Sequence, residues 1–178
     1  VYTIVDPLQI QLDKGIHESV GFFDDEYDEH RTEVNVTCSY ITFVGKGKDH
    51  TTIRGGFKVE NQQNVKFEEL TLTCPTASGL LLEGSETNVD VLKCVFKECG
   101  DAGMHVCAGA TVTATQCEFM ENRYDGVNCD GARTKVRLND STIHHNGWHG
   151  LVASGHAVVD IHGTKTDINS NKQNGIRA

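Results

Sequence analysis

Val112-Thr113-Ala114-Thr115-Gln116-Cys117-Glu118-Phe119-Met120-Glu121-Asn122 is matched 24 residues later by Val136-Arg137-Leu138-Asn139-Asp140-Ser141-Thr142-Ile143-His144-His145-Asn146. Both stretches set apolar residues at the first and third positions, a small residue at the sixth, an apolar residue at the eighth and Asn at the eleventh. Val89, Val91, Cys94, Phe96 and Cys99 keep the same spacing one unit earlier. Val159, Ile161, Ile168 and Asn171 repeat it later with about two extra residues. The register runs upstream through Val65, Phe67, Leu70 and Leu72, and more faintly through Ile41 and Phe43. A Gly followed by an apolar residue marks each unit, at Gly79-Leu80, Gly103-Met104, Gly126-Val127, Gly150-Leu151 and Gly175-Ile176, with gaps of 24, 23, 24 and 25 residues.

Self-similarity at this period is the mark of a solenoid. Within each unit the apolar residues alternate with period two in short runs broken by Gly, Asn and Asp, which is a strand pattern rather than a helical one. Short strands wound at about 24 residues per turn predict an all-β, right-handed parallel β-helix of about seven coils. A leucine-rich repeat shares the period but needs an L-x-x-L-x-L framework, and Val, Thr, Cys and Asn stand there instead. The expected organisation is a single domain over residues 1–178. An N-terminal rung over 1–34 carries an acidic insertion at 21–33, and repeat coils fill 35–178.

Hydrophobic residues make up 38% of the chain, and no apolar run approaches the length of a membrane span. The formal charge of −9 argues against a nucleic-acid partner. Asp24, Asp25, Glu26, Asp28 and Glu29 form one run that interrupts the strand pattern, but the EF-hand spacing is missing, so a solvated insertion is expected. Val44-Gly45-Lys46-Gly47-Lys48 lacks the spacing of a phosphate loop and reads as a turn between coils, and Ile10 to His17 reads as a strand followed by a Gly turn. The chain opens on Val1 rather than Met, which is compatible with a leader or upstream domain having been removed.

The seven cysteines are odd in number and follow the repeat: Cys94 and Cys117 share a column with Ser141, and Cys107 and Cys129 precede equivalent glycines at 109 and 131. Buried free thiols filling a narrow interior are the expectation, and with them an intracellular location, although Asn35-Val36-Thr37 and Asn139-Asp140-Ser141 are formal glycosylation sequons. Neither CxxC nor HxxxH pairs occur, so neither a metal nor another cofactor is predicted. Asn122, Asn146 and Asn171 end equivalent arcs, where Asn tolerates a left-handed backbone and its amide can bond the coils above and below. With Cys94 and Cys117 they are read as structural ladders.

These repeats resemble the right-handed parallel β-helix repeat family, related in shape to pectin lyases, over about residues 35 to 178. The stretches from Val112 to Asn122, Leu138 to Gly147 and Ala157 to Ile168 look like segments of uncharacterised microalgal β-helix proteins. That resemblance implies the fold and brings no activity with it.

Carbohydrate-active β-helix enzymes use Asp, Arg, Lys, His or Tyr projecting from one sheet, since β-elimination needs a base, a proton donor and neutralisation of a uronate. The candidate face lies around the repeated Gly: Asp101 and His105, then Arg123, Tyr124, Asp125, Asn128 and Asp130, then Trp148 and His149. Tyr124 and Trp148 fall in one column, Asp125 and His149 in the next. If the chain were an enzyme, Asp125, His149 and Arg123 would carry the chemistry. One Arg, an acidic chain and no acid-rich epimerase motif weigh against that.

His144 and His145 flank the Asn146 turn, where a solvated or locally hydrogen-bonded role is expected. A Thr-x-Thr ice-binding face is broken, because Thr111 and Thr113 give way to Asn88, Asp90, Lys135 and Arg137 in neighbouring coils. The function expected from the residues is therefore a non-catalytic scaffold or protein-interaction module, with a polysaccharide-active or carbohydrate-binding protein as the alternative. Ile176-Arg177-Ala178 ends inside a new strand, so the chain is expected to continue or to meet a partner or another copy at that end.

Overall fold

The computed structural model describes residue 3 and residues 6–19, 22–24 and 29–178. Among these residues there is no helix. Three sheets of seven parallel strands wind round a common axis. Each coil supplies one strand to each sheet in the same order; in the fifth coil these are Thr111–Thr115, Glu118–Met120 and Val127–Asp130, in the first, second and third sheets. The seven expected coils are present, six full turns from first to last. The acidic insertion leaves the solenoid between the second and third strands of the first coil, where Phe22–Asp24 pairs antiparallel with Glu29–Arg31. Asp25, Glu26 and Asp28 lie outside the described residues.

Strict register builds the core. Val65, Val89, Val112, Val136 and Val159 stack in one column of the first sheet, and Phe67, Val91, Ala114, Leu138 and Ile161 in another. Phe96 lies over Phe119 with ring centroids 4.9 Å apart, and Phe43 over Phe67 at 5.2 Å. Such columns stabilise only when a coil covers them: Leu138 is 0% exposed, whereas its neighbour Ile161 in the seventh coil is 42% exposed. Between these columns the outward positions of the first sheet alternate in charge. Lys66 meets Asp90 and Arg137 meets Asp160 on either side of Thr113, so the Thr row is broken as expected.

Corners obey one rule at two of the three edges. At the edge between first and second sheets Glu69, Lys93, Gln116 and Asp140 take positive φ immediately before the inward residues Leu70, Cys94, Cys117 and Ser141. At the edge between second and third sheets Glu98, Glu121, His145 and Ser170 do the same before Cys99, Asn122, Asn146 and Asn171. The left-handed residue is thus the one preceding the ladder Asn, not the Asn itself, which corrects the expectation from sequence. The two extra residues of the seventh coil lie at the first edge around Gly163 (φ 89°), and Ile168 still pairs with Ile143. The turn over Gly45 to Lys48 also sits at that edge, within the second coil rather than between coils. In the first coil the expected single strand is two, Leu8–Gln11 and Gly15–Glu18.

All seven cysteines are free thiols, five of them buried. Cys94 and Cys117 stack with Ser141, whose hydroxyl accepts the Cys117 N–H at 3.1 Å. Cys107 and Cys129 do not share a column. Cys129 pairs with Val106 and points inward, while Cys107 stands one residue further on, facing out beside Glu83. Because strand side chains alternate, that one-residue offset puts the two sulfurs on opposite faces. Burial pushes the thiols of Cys99 and Cys117 up to about 12 and those of Cys107 and Cys129 up to about 11. The reactive species is the thiolate. A disulfide reagent at pH 8 is therefore expected to label Cys38 quickly, Cys107 slowly and the other five only in denaturant. Rapid native labelling of more than two thiols would contradict this packing.

Candidate functional site

The face expected to carry function begins at the edge between second and third sheets. There main-chain hydrogen bonds run coil to coil, Tyr124 N–H to Asp101 O, Trp148 N–H to Tyr124 O and Gln173 N–H to Trp148 O, so Asp101, Tyr124 and Trp148 form one column. Asp125 and His149 form the next. Beyond the repeated Gly the third sheet turns its outward column, Leu81, His105, Asn128, Val152 and Arg177, beside them.

Tyr124 and Trp148 meet edge to face with centroids 5.1 Å apart, a favoured aromatic geometry, and Trp148 remains 47% exposed. Arg123 lies over the Tyr124 ring at 5.3 Å. Asp101 Oδ2 accepts the Ser78 hydroxyl at 2.9 Å. A cleft of about 710 Å³ runs past His105, Asn128, Asp130, Trp148 and Ser154 to Arg177. Asp130 holds the Ser154 hydroxyl at 2.9 Å on one wall. Arg123 and Asp101 do not line this cleft; Arg177 is the cation that does. Its place was readable in the repeat, since Ile176-Arg177 aligns with Met104-His105 and Val127-Asn128.

Asp125 and His149 also border the cleft but are only 7% and 5% exposed. Asp125 Oδ1 accepts the main-chain N–H of His149 at 2.9 Å, and His149 Nδ1 accepts that of Asn174 at 3.1 Å. An accepting Nδ1 fixes the neutral Nε2–H tautomer. Each group thus ties its coil to the next through a backbone donor.

The Asn column lies just behind. Asn122 Nδ2 donates to Asn146 Oδ1 and Asn146 Nδ2 to Asn171 Oδ1, both at 2.9 Å. The same oxygens accept the N–H groups of Asn122 and Asn146 at 3.1 and 3.0 Å, and the amides also donate to Phe96 O and Phe119 O. No buried side-chain polar atom among the described residues lacks a partner.

Toward the N-terminal end of the third sheet, Lys58 bridges Glu83 at 2.8 Å and Glu60 at 3.2 Å. The hydrogen bond from Lys58 holds the Glu83 carboxyl below its usual range, against the opposing effect of burial, and Glu83 raises Lys58 in turn. A depressed carboxyl pKa contributes stability above its unfolded value and loses it as pH falls through the folded one. Glu83→Gln should therefore cost up to about 1 kcal/mol at pH 7, solvent screening included, and progressively less as pH falls through the titration of the folded carboxyl, as read from urea midpoints.

No three His, Cys, Asp or Glu side chains among the described residues converge to hold a metal ion, and among the described residues no helix is long and apolar enough to cross a membrane. No curated protein and no solved structure matches the chain. A family model described as "Right handed beta helix region" matches residues 30–178, the span of the stacked coils. The chain belongs to the right-handed β-helix family.

Proposed function

We propose that the chain is a non-catalytic β-helix scaffold that presents the lateral face around Trp148 to a protein partner. The observation that carries this reading is how Asp125 and His149 are used. Both are nearly buried, and Asp125 Oδ1 and His149 Nδ1 each accept a main-chain N–H of the coil above. A general base needs its lone pair within reach of a substrate proton. Trp148, by contrast, stands open, backed by Tyr124 and flanked by Arg177, and aromatic residues with Arg are what dominate protein-binding surfaces.

One observation favours a second reading. Trp148 borders a cleft of about 710 Å³ that Tyr124 does not line and whose walls also carry His105, Asn128, Asp130 and Ser154, a mix of apolar and polar groups that also suits a carbohydrate. A photoreactive residue at position 128 in the cleft, with one at position 137 on the opposite sheet as control, separates the two. The scaffold reading expects a discrete protein adduct from position 128 only, competed by the unlabelled chain and not by its Trp148→Ala variant. No such adduct, together with Trp148-dependent binding to a glycan array, would replace it with the carbohydrate reading.

A further inference from the structure

The second sheet carries a group of donors on the side away from the Trp148 cleft. His144 and His145 follow one another at the corner, with their Nδ1 atoms 2.8 Å apart and their rings at 89°. A single hydrogen fits between two ring nitrogens, so at least one Nδ1 points a lone pair into the gap. The opposite nitrogen of His144, Nε2, lies 3.0 Å from Glu118 Oε1, and Glu118 Oε2 is held by Lys48 at 3.1 Å. A carboxylate on Nε2 keeps the proton there and leaves Nδ1 as the basic atom, which is how proteins orient a metal-binding imidazole.

The neighbouring strand adds a third donor. Met120 stands in register with His144 in the outward column Lys97, Met120, His144 and Asn169, one strand spacing of about 4.8 Å away. The chain has two methionines; Met104 is fully buried in the core, whereas Met120 is half-buried on this face. Two imidazoles and a thioether form a soft donor set. Thioether ligands select Cu(I), while Mg²⁺ and Ca²⁺ take oxygen and Zn²⁺ takes imidazole, thiolate or carboxylate.

We propose that His144, His145 and Met120 bind one copper(I) ion, with Glu118 as a positioning residue held by Lys48. Three donors about 2.0 Å from a metal at trigonal angles stand about 3.5 Å apart, so the two Nδ1 atoms need to separate by less than about 1 Å. His145 is exposed and free to make that movement. The backbone there is already fixed by the corner, since φ of His145 is 57° and Asn146 is locked in its ladder.

Cys38 and Cys107 are the half-buried thiols that would compete for Cu(I), so the test uses the full chain carrying Cys38→Ser and Cys107→Ser. It is titrated anaerobically with Cu(I), under ascorbate, against a chromogenic Cu(I) chelator. One equivalent is expected. His144→Ala, or His145→Asn, which tolerates the left-handed backbone, should weaken binding at least about tenfold. Met120→Leu should weaken Cu(I) about tenfold and leave Zn²⁺ affinity unchanged. Glu118→Gln should weaken Cu(I) by about tenfold, the size expected of a residue that orients a ligand, while lowering stability by no more than a partly exposed ion pair contributes. Absence of Cu(I) binding, binding indifferent to both His substitutions, or equal loss of Cu(I) and Zn²⁺ in Met120→Leu would overturn the proposal.

Discussion

Asn146→Leu is expected to lower the unfolding free energy by about 4 kcal/mol, the sum of two to three buried polar groups left unpaired at about 1–3 kcal/mol each. The change removes the acceptor for Asn122 N–H and Nδ2 and the donor to Phe119 O and Asn171 Oδ1. Asn146 is 0% exposed, so water cannot take over those bonds. Leu keeps the branching and the number of side-chain heavy atoms, so the substitution opens no cavity and the loss reads mainly the hydrogen bonds. At about 2–4 °C per kcal/mol for a chain of this size, the melting temperature should fall by about 8–16 °C in a calorimetric scan. Asn171→Leu, at a half-buried rung with one coil boundary instead of two, should cost less than half as much. Equal losses at the two positions would show that the amide ladder is not the stabilising element.

Gly126→Ala is expected to cost about 3 kcal/mol, at the upper end for overpacking. A Cβ there would stand 2.8 Å from Gly150 O and 2.9 Å from Asn146 Nδ2, and closer still to Ile143 Cγ2. Two of these three are fixed, one as backbone and one as a ladder amide, so relief requires the coils to part. Its φ is not in the left-handed region, so the requirement for Gly is close approach of the next coil and not backbone conformation. The same repeat position in the last coil supplies the control. At Gly175 the nearest atom to an added Cβ is Ile168 O at 3.4 Å, so Gly175→Ala should cost less than about 1 kcal/mol. Comparable destabilisation at Gly126 and Gly175 would contradict this explanation of the repeat.

That contrast also explains why the fold was legible in the sequence. The repeated Gly lies where consecutive coils touch, and the inward columns recur one turn apart, so spacing alone identifies both. Legibility failed where a turn changed length. The stretch from Cys107 to Ala110 is one residue shorter than its equivalent from Asp130 to Thr134, so Cys107 and Cys129 stand alike relative to glycines 109 and 131 although register pairs Cys129 with Val106. The candidate face was readable as columns but not as directions. Asp125 and His149 stack as expected, yet both bond backbone and are nearly buried. Arg177 could have been found by extending the Gly-apolar alignment one residue. Glu118 could not, because its partners Lys48 and His144 come from the second and sixth coils while it belongs to the fifth, and no local pattern links them.

The central functional claim is that the corner at Asp125 and His149 holds coils together and performs no chemistry. A turnover assay of the purified chain against acidic and neutral polysaccharides tests it directly, following unsaturated products and reducing ends, with Asp125→Ala and His149→Ala run beside it and all three melted. The account predicts no turnover in any of them, and a loss of about 1–3 kcal/mol in Asp125→Ala as the His149 N–H loses its acceptor. Turnover by the unaltered chain that either substitution abolishes, with the melting temperature unchanged, would contradict it.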